Sequence, residues 1–194
     1  IDMEKGFAFV KWHDQFGQHE KKTFVSRDDG ILYYSVSSSE KCRFTLGFGA
    51  YNNRDWFSEN EIKRREEKLQ CVSGDNTIYY CANVDGQCFG AHIKVDIYDD
   101  GYCRKSGASG LYIESADFAI KLLSFAKTEA DANTLDNSPD FDTALDLHAN
   151  KHSELYGKVS INLVEDGDRS LDLTNEELID EAYEDTAPNA LYEK

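Results

Sequence analysis

The first hundred residues are apolar runs broken by turn dipeptides. Phe7-Ala8-Phe9-Val10-Lys11-Trp12 is a short apolar run with a polar exit. Lys22-Thr23-Phe24-Val25 leads into Asp28-Asp29-Gly30 and then Ile31-Leu32-Tyr33-Tyr34-Ser35-Val36. Asp-Gly between aromatic and β-branched runs predicts a hairpin, because glycine accepts the positive φ that a tight turn demands. The dipeptide recurs at Asp85-Gly86 and Asp100-Gly101. Between those two, His92, Lys94 and Asp96 alternate with Ile93, Val95 and Ile97. A period of two with one apolar side predicts a half-buried strand.

Helical patterns come next. Ser58 with Glu61 three residues on is a capping box, and Phe57 is placed to staple onto Ile62. With Glu61/Arg65 and Lys63/Glu67 spaced for i,i+4 pairing, residues 58–70 predict a charged surface helix. Ser115 to Thr128 carries Phe118, Leu122 and Phe125 beside Ala119, Leu123 and Ala126, a wide helical stripe. A strand there would lose its alternation at Leu122-Leu123, so the pattern favours a helix. Residues 141–157 fit two elements. As a helix they align Phe141, Leu145, His148, His152 and Leu155; as a strand, Leu145 and Leu147 alternate with Asp146 and His148. Lys158 to Val164 alternates as a strand, Asp166-Gly167 turns it, and Thr174 caps a short helix over 175–183.

Together these elements predict an α+β fold dominated by antiparallel strands. Ser106-Gly107-Ala108-Ser109-Gly110 reads as a linker, with every cysteine before it and both prolines after it. The predicted organisation is a cysteine-bearing β-rich domain over 1–105 and an acidic domain over 106–194, either α+β or sandwich-like.

Charge and cysteines narrow the chemistry. The chain has 194 residues and a formal charge of −16. Residues 129–194 hold 18 acidic and 4 basic residues, against 19 and 17 in the rest. Such acidity argues against nucleic acid as a partner. No apolar stretch reaches the roughly 18 residues of a spanning helix. Cys42, Cys71, Cys81, Cys88 and Cys103 are separated by 28, 9, 6 and 14 residues. Those gaps lack the close pairs of a zinc site and suit disulfides in an oxidising compartment, with two bridges and one cysteine left over. Ile1 at the start and the lack of a signal peptide fit a processed, secreted form; no N-glycan sequon occurs.

From Asp166, oxygen-bearing side chains fall at EF-hand positions: Asp166, Asp168, Ser170, Asp172, Thr174 and Glu177. Leu171 stands where that loop needs glycine, and the same residues serve as a turn and a cap. No cofactor is expected, with calcium at this loop as the alternative. His148 and His152 would share a helix face but lack a third ligand. Cys88 and His92 would lie roughly 13 Å apart along a strand, too far for a thiolate–imidazolium pair. No nucleophile elbow, phosphate loop or HExxH frame occurs.

Asp75-Asn76-Thr77-Ile78-Tyr79-Tyr80-Cys81 resembles the D-x-x-x-Y-x-C of strand F in immunoglobulin variable-type domains, and Phe89 to Ile97 is similar to the strand that follows it there. The resemblance implies a sandwich with a partner cysteine and a core tryptophan well upstream of Cys81. Cys42 and Trp56 are both too close for those roles, and the predicted charged helix lies between.

The functional expectation is a small secreted, monomeric, non-enzymatic interaction protein, in the style of effectors, virulence factors or toxins. It would recognise a host or other partner protein. Loops beside the cysteines are the expected docking surface, namely Asn52, Asn53, Arg54 and Asp55 with Asp85 and Gln87. The alternatives are an extracellular carbohydrate hydrolase using carboxylates from distant strands, and a calcium or small-ligand module.

Overall fold

A computed structural model describes residues 1–15, 17–47, 58–60, 69–84, 87–107, 109–126, 133–158 and Thr174. For 69, 70, 84, 87, 88, 125, 126 and 133 it describes the backbone alone. Eight strands form one antiparallel sheet: β1 (Ala8–Asp14), β2 (Gly17–Val25), β3 (Leu32–Gly47), β4 (Leu69–Ser73), β5 (Thr77–Val84), β6 (Gln87–Ile97), β7 (Tyr102–Ser106) and β8 (Gly110–Ala126). Two helices follow, α1 (Asn133–Asp136) and α2 (Phe141–Tyr156). The strand order is β1-β2-β3-β8-β6-β5-β4, with β7 also on β8. The expected β-rich α+β class is therefore correct.

The hairpin signals fall where the pattern placed them. Gly30, at φ 70°, turns β2 into β3. Val84 pairs with Gln87, so the 85–86 signal joins β5 to β6, although those two residues lie outside the described set. Gly101 leads into β7, and a Cβ there would collide with the Glu114 carbonyl oxygen, so glycine is needed for the close approach.

Strand β8 is the spine. One edge pairs with β3 from Leu32↔Leu122 to Gly47↔Gly110. Its other edge takes β7 near the start and β6 near the end. The helix expected over Ser115–Thr128 is thus a strand as far as Ala126. A central strand is covered on both faces, so it reads as a near-continuous apolar run and Leu122-Leu123 breaks nothing. Leu122 packs toward one core and Leu123 toward the other. Ser106 to Gly110, expected as a linker, closes the β7–β8 hairpin. The chain's two compact units instead divide between Glu154 and Leu155. Of the charged helix expected over 58–70, Glu59 and Asn60 are helical, 61–68 lie outside the described residues, and Leu69 and Gln70 belong to β4 instead. The strand expected over 158–164 and the helix over 175–183 lie outside the described residues beyond Lys158.

Two apolar clusters hold the first unit. Phe24, Ile31, Tyr33 and Ala119 on one sheet face meet Leu135, Phe141 and Ala144 from the helices. The ambiguous segment resolves as a helix over Phe141–Tyr156 because Phe141, Ala144 and His148 at i, i+3 and i+7 are the buried positions. Phe24 stacks on Tyr33 at 5.1 Å and meets Phe141 edge-on at 5.5 Å. The opposite face carries Val36, Ile78, Ile93, Val95, Leu111, Ile113 and Phe118. Thus β6 alternates as expected, with Ile93 and Val95 inward.

A bulge in β3 lets both halves of β8 serve that second cluster, Leu111 and Ile113 before it and Phe118, Ile120 and Leu122 after it. Ser37 pairs with Asp117 and Cys42 with Ser115, so Ser38 to Lys41 oppose Ala116 alone. Such an insertion bends a strand and re-aims the side chains beyond it. The sheet is one hydrogen-bonded path, not the sandwich implied by the immunoglobulin resemblance, and Tyr79 contacts the ring of His92 at 4.9 Å.

Candidate functional site

The β1–β2 hairpin and the β3 bulge bring together three side chains far apart in sequence. Trp12 and His19 are cross-strand partners, and their rings stack at 4.8 Å and 16°. Asp14, two residues beyond Trp12, shares that face, and its Oδ1 lies 3.0 Å from His19 Nε2. A carboxylate only accepts, so Nε2 carries the hydrogen, and in the neutral ring Nδ1 then presents its lone pair. The bulge places Cys42 opposite: its Sγ is 3.9 Å from His19 Nδ1. Sγ also lies 3.5 Å from the Glu40 carbonyl and 3.6 Å from Ser38 Oγ.

The local sequence explains the arrangement. Gly17, at φ 126°, opens β2 in a conformation that favours glycine, and a Cβ there would strike Ser39 Oγ. Ser39 Oγ accepts a hydrogen bond from Gln18 N at 3.1 Å, tying the hairpin to the bulge. Ser37-Ser38-Ser39-Glu40-Lys41 has no large apolar group that must stay in register.

A cleft of about 740 Å³ opens on this trio, lined by Trp12, Phe44, Lys41, Arg43 and Glu114 among others. His19 is 7% exposed while Cys42 is half-buried, so the base is sheltered and the thiol is reachable. Arg43 Nε donates to Glu114 Oε2 at 3.1 Å, and Lys41 pairs with Asp100 at 2.8 Å. Tyr112 donates to Glu114 at 2.9 Å. That bond is the chief reason Glu114 sits below its usual range, outweighing desolvation with help from Arg43.

A second cavity, about 590 Å³, gathers Asp117, Asp140 and Asp142 beside Lys22 and Tyr98. Partial desolvation, then the charges of Asp142 and Asp99, push the Asp117 carboxyl up.

The cysteines do not form two bridges. Cys42, Cys71 and Cys103 are thiols. Cys81 is disulfide-bonded, and the side chain of Cys88 lies outside the described set. The reason is placement: Cys71 and Cys103 pack against the second cluster while Cys42 faces the cleft. Desolvation pushes the Cys71 and Cys103 thiols up. Asn52, Asn53, Arg54, Asp55 and Asp85 lie outside the described residues, as does the side chain of Gln87. Of the candidate calcium loop, Asp166, Asp168, Ser170, Asp172 and Glu177 lie outside them too, and only Thr174 is described. Among the described residues no group of three His, Cys, Asp or Glu is placed to hold a metal.

His148 and His152 serve the chain's own start. His148 Nε2 bonds the Gly6 carbonyl at 2.9 Å and His152 Nε2 that of Met3 at 3.0 Å. His152 Nδ1 accepts from Arg27, whose guanidinium only donates.

No family model and no curated protein matches the chain. Its function is therefore argued from this geometry. Reasoning from sequence named Cys42 only as a disulfide candidate and passed over Asp14 and His19. Nothing in a lone histidine 23 residues from a cysteine marks a pair until strand register and bulge are known.

Proposed function

We propose that the protein is a secreted interaction protein that docks an extended segment of a partner polypeptide along β1 and into the adjoining cleft. The observation that carries this reading is the state of β1. Among the described residues it is the terminal strand of the sheet, and Phe9 and Val10 on it are 42% and 59% exposed. Soluble proteins blunt such edges with bulges, prolines or inward charges, and β1 has none of the first two. An added strand would satisfy its outward backbone groups, and a side chain from that strand would reach the cleft between Trp12 and Phe44. The lining offers aromatic surface with both signs of charge, which suits a peptide better than a single small polar ligand.

Selection from a displayed random-peptide library tests this. Peptides enriched on the wild-type protein should be lost on Lys11→Pro, which removes a backbone donor turned away from β2, and on Trp12→Ala. Enriched peptides that hold equally to both variants, or no enrichment, would overturn the reading. The oxidising compartment is part of the proposal, supported by cysteine spacing and the disulfide at Cys81. Five thiols in the unreduced protein by mass spectrometry would remove it.

A further inference from the structure

We propose that Cys42 is a nucleophile for acyl transfer, with His19 as its base and Asp14 as the group that orients His19. The inference shares the cleft with the docking reading but does not need a strand on β1. Three roles are filled in the order that such chemistry requires: nucleophile, base, and a third group fixing the base. Asp14 sets the tautomer by taking the Nε2 hydrogen at 3.0 Å, so the free lone pair is on the nitrogen that faces sulfur. Trp12 stacked on the ring fixes its plane and keeps water from one side. The 3.9 Å sulfur–nitrogen separation is within the looser range of unliganded sites, which tighten when substrate binds.

The neighbourhood suits a carbonyl substrate. Lys41 and Arg43 line the same cleft, each ion-paired at rest, with Asp100 at 2.8 Å and Glu114 at 3.1 Å. Trp12 and Phe44 supply apolar walls for the acyl group. The substrate class is an activated acyl compound, an ester or thioester. The thiol proton passes to His19 Nδ1, and sulfur bonds the carbonyl carbon. The tetrahedral intermediate collapses, and the departing alkoxide or thiolate takes the proton from His19. Water, deprotonated by the same nitrogen, then attacks the thioester, releasing a carboxylic acid and restoring the thiol. No oxidant or reductant is consumed.

The test uses the whole protein with two small probes, iodoacetamide and p-nitrophenyl acetate. Peptide mapping should show Cys42 carbamidomethylated at neutral pH at least about tenfold faster than Cys71 and Cys103, since the thiolate is the reacting form. With p-nitrophenyl acetate, acetyl should appear on Cys42, and Cys42→Ser should abolish it. His19→Ala should slow acetylation by about 100-fold, the scale of a lost general base, and added imidazole should restore part of the rate. Asp14→Asn should slow it too, with Asp14→Glu recovering most of the loss.

A Cys42 that reacts no faster than the other two thiols would overturn the proposal without any variant. So would a reactive Cys42 whose rate ignores Asp14→Asn and His19→Ala, because exposure alone would then explain it. The probes need no edge strand. Absent labelling with retained peptide enrichment sinks the nucleophile alone, and labelling without enrichment sinks the docking reading alone.

Discussion

Asp99 shows what a single side chain contributes at the turn from β6 to β7. Its Oδ1 accepts from Ser115 Oγ at 2.6 Å and Gly101 N at 3.0 Å, and its Oδ2 from Ala116 N at 2.8 Å. Partial desolvation pushes this carboxyl up, but the three donors, with Lys41 behind them, outweigh it and hold it below the usual aspartate range. A carboxyl lower in the folded than in the unfolded state adds stability above its unfolded value, and that stability is lost as pH falls through the folded value. Asp99→Asn should cost about 1–2 kcal/mol at neutral pH, the scale of a lost charge-assisted hydrogen bond. The gap between variant and wild type in urea melts should close in acid below the usual aspartate range. A gap that is the same at both pH values would exclude the carboxylate as its source. The Asp-Gly signal that follows was legible in sequence, because a turn is local. The trio Asp14, His19 and Cys42 was not, because it exists only after β1, β2 and the β3 bulge are in register.

At the scale of the element, patterns were readable where one face of a strand is polar. Strand β6 is the clearest case: His92, Lys94 and Asp96 lie opposite Ile93, Val95 and Ile97 in sequence and in the sheet. Strand β8 was unreadable for the converse reason. Phe118 and Ile120 go to one cluster, Ala119 and Leu123 to the other, and Lys121 is 3% exposed with its charge met by Asp96 at 2.8 Å. A strand with no wet face has no period to read. Helix α2 lay between these cases, and its start rests on a cap that the apolar pattern did not reveal. Asp140 Oδ1 accepts from Thr143 N at 2.8 Å, the geometry of an N-cap carboxylate, with Pro139 just before it. That backbone hydrogen bond is the first cause holding Asp140 below the usual range, against a small desolvation effect. Asp140→Ala should destabilise the protein by about 1 kcal/mol. Asp140→Ser should recover most of that in thermal melts, since serine also caps. An alanine variant as stable as wild type would mean that Phe141 and Ala144 fix the helix without it.

At the scale of the whole molecule, every residue of both apolar clusters lies before Leu155. The acidity is arranged the other way, with 11 acidic and 3 basic residues over 155–194. Burial of apolar surface drives folding, whereas net charge sets solubility and association more than fold. Among the described residues both clusters thus lie before the boundary between Glu154 and Leu155, and half of the chain's net charge of −16 lies after it. Ending the chain after Lys158 keeps all of α2, both clusters and the cleft with Cys42. Such a chain should unfold in one cooperative step, with a Tm within about 4 °C of the full-length protein, equivalent to about 1 kcal/mol at this size. Calorimetry on both chains checks this, and loss of the cooperative transition would show that the acidic region is needed for the sheet to fold. If the shorter chain also labels at Cys42 at the full-length rate, the thiol site belongs to the sheet. A slower rate with the same Tm would tie the acidic region to the chemistry.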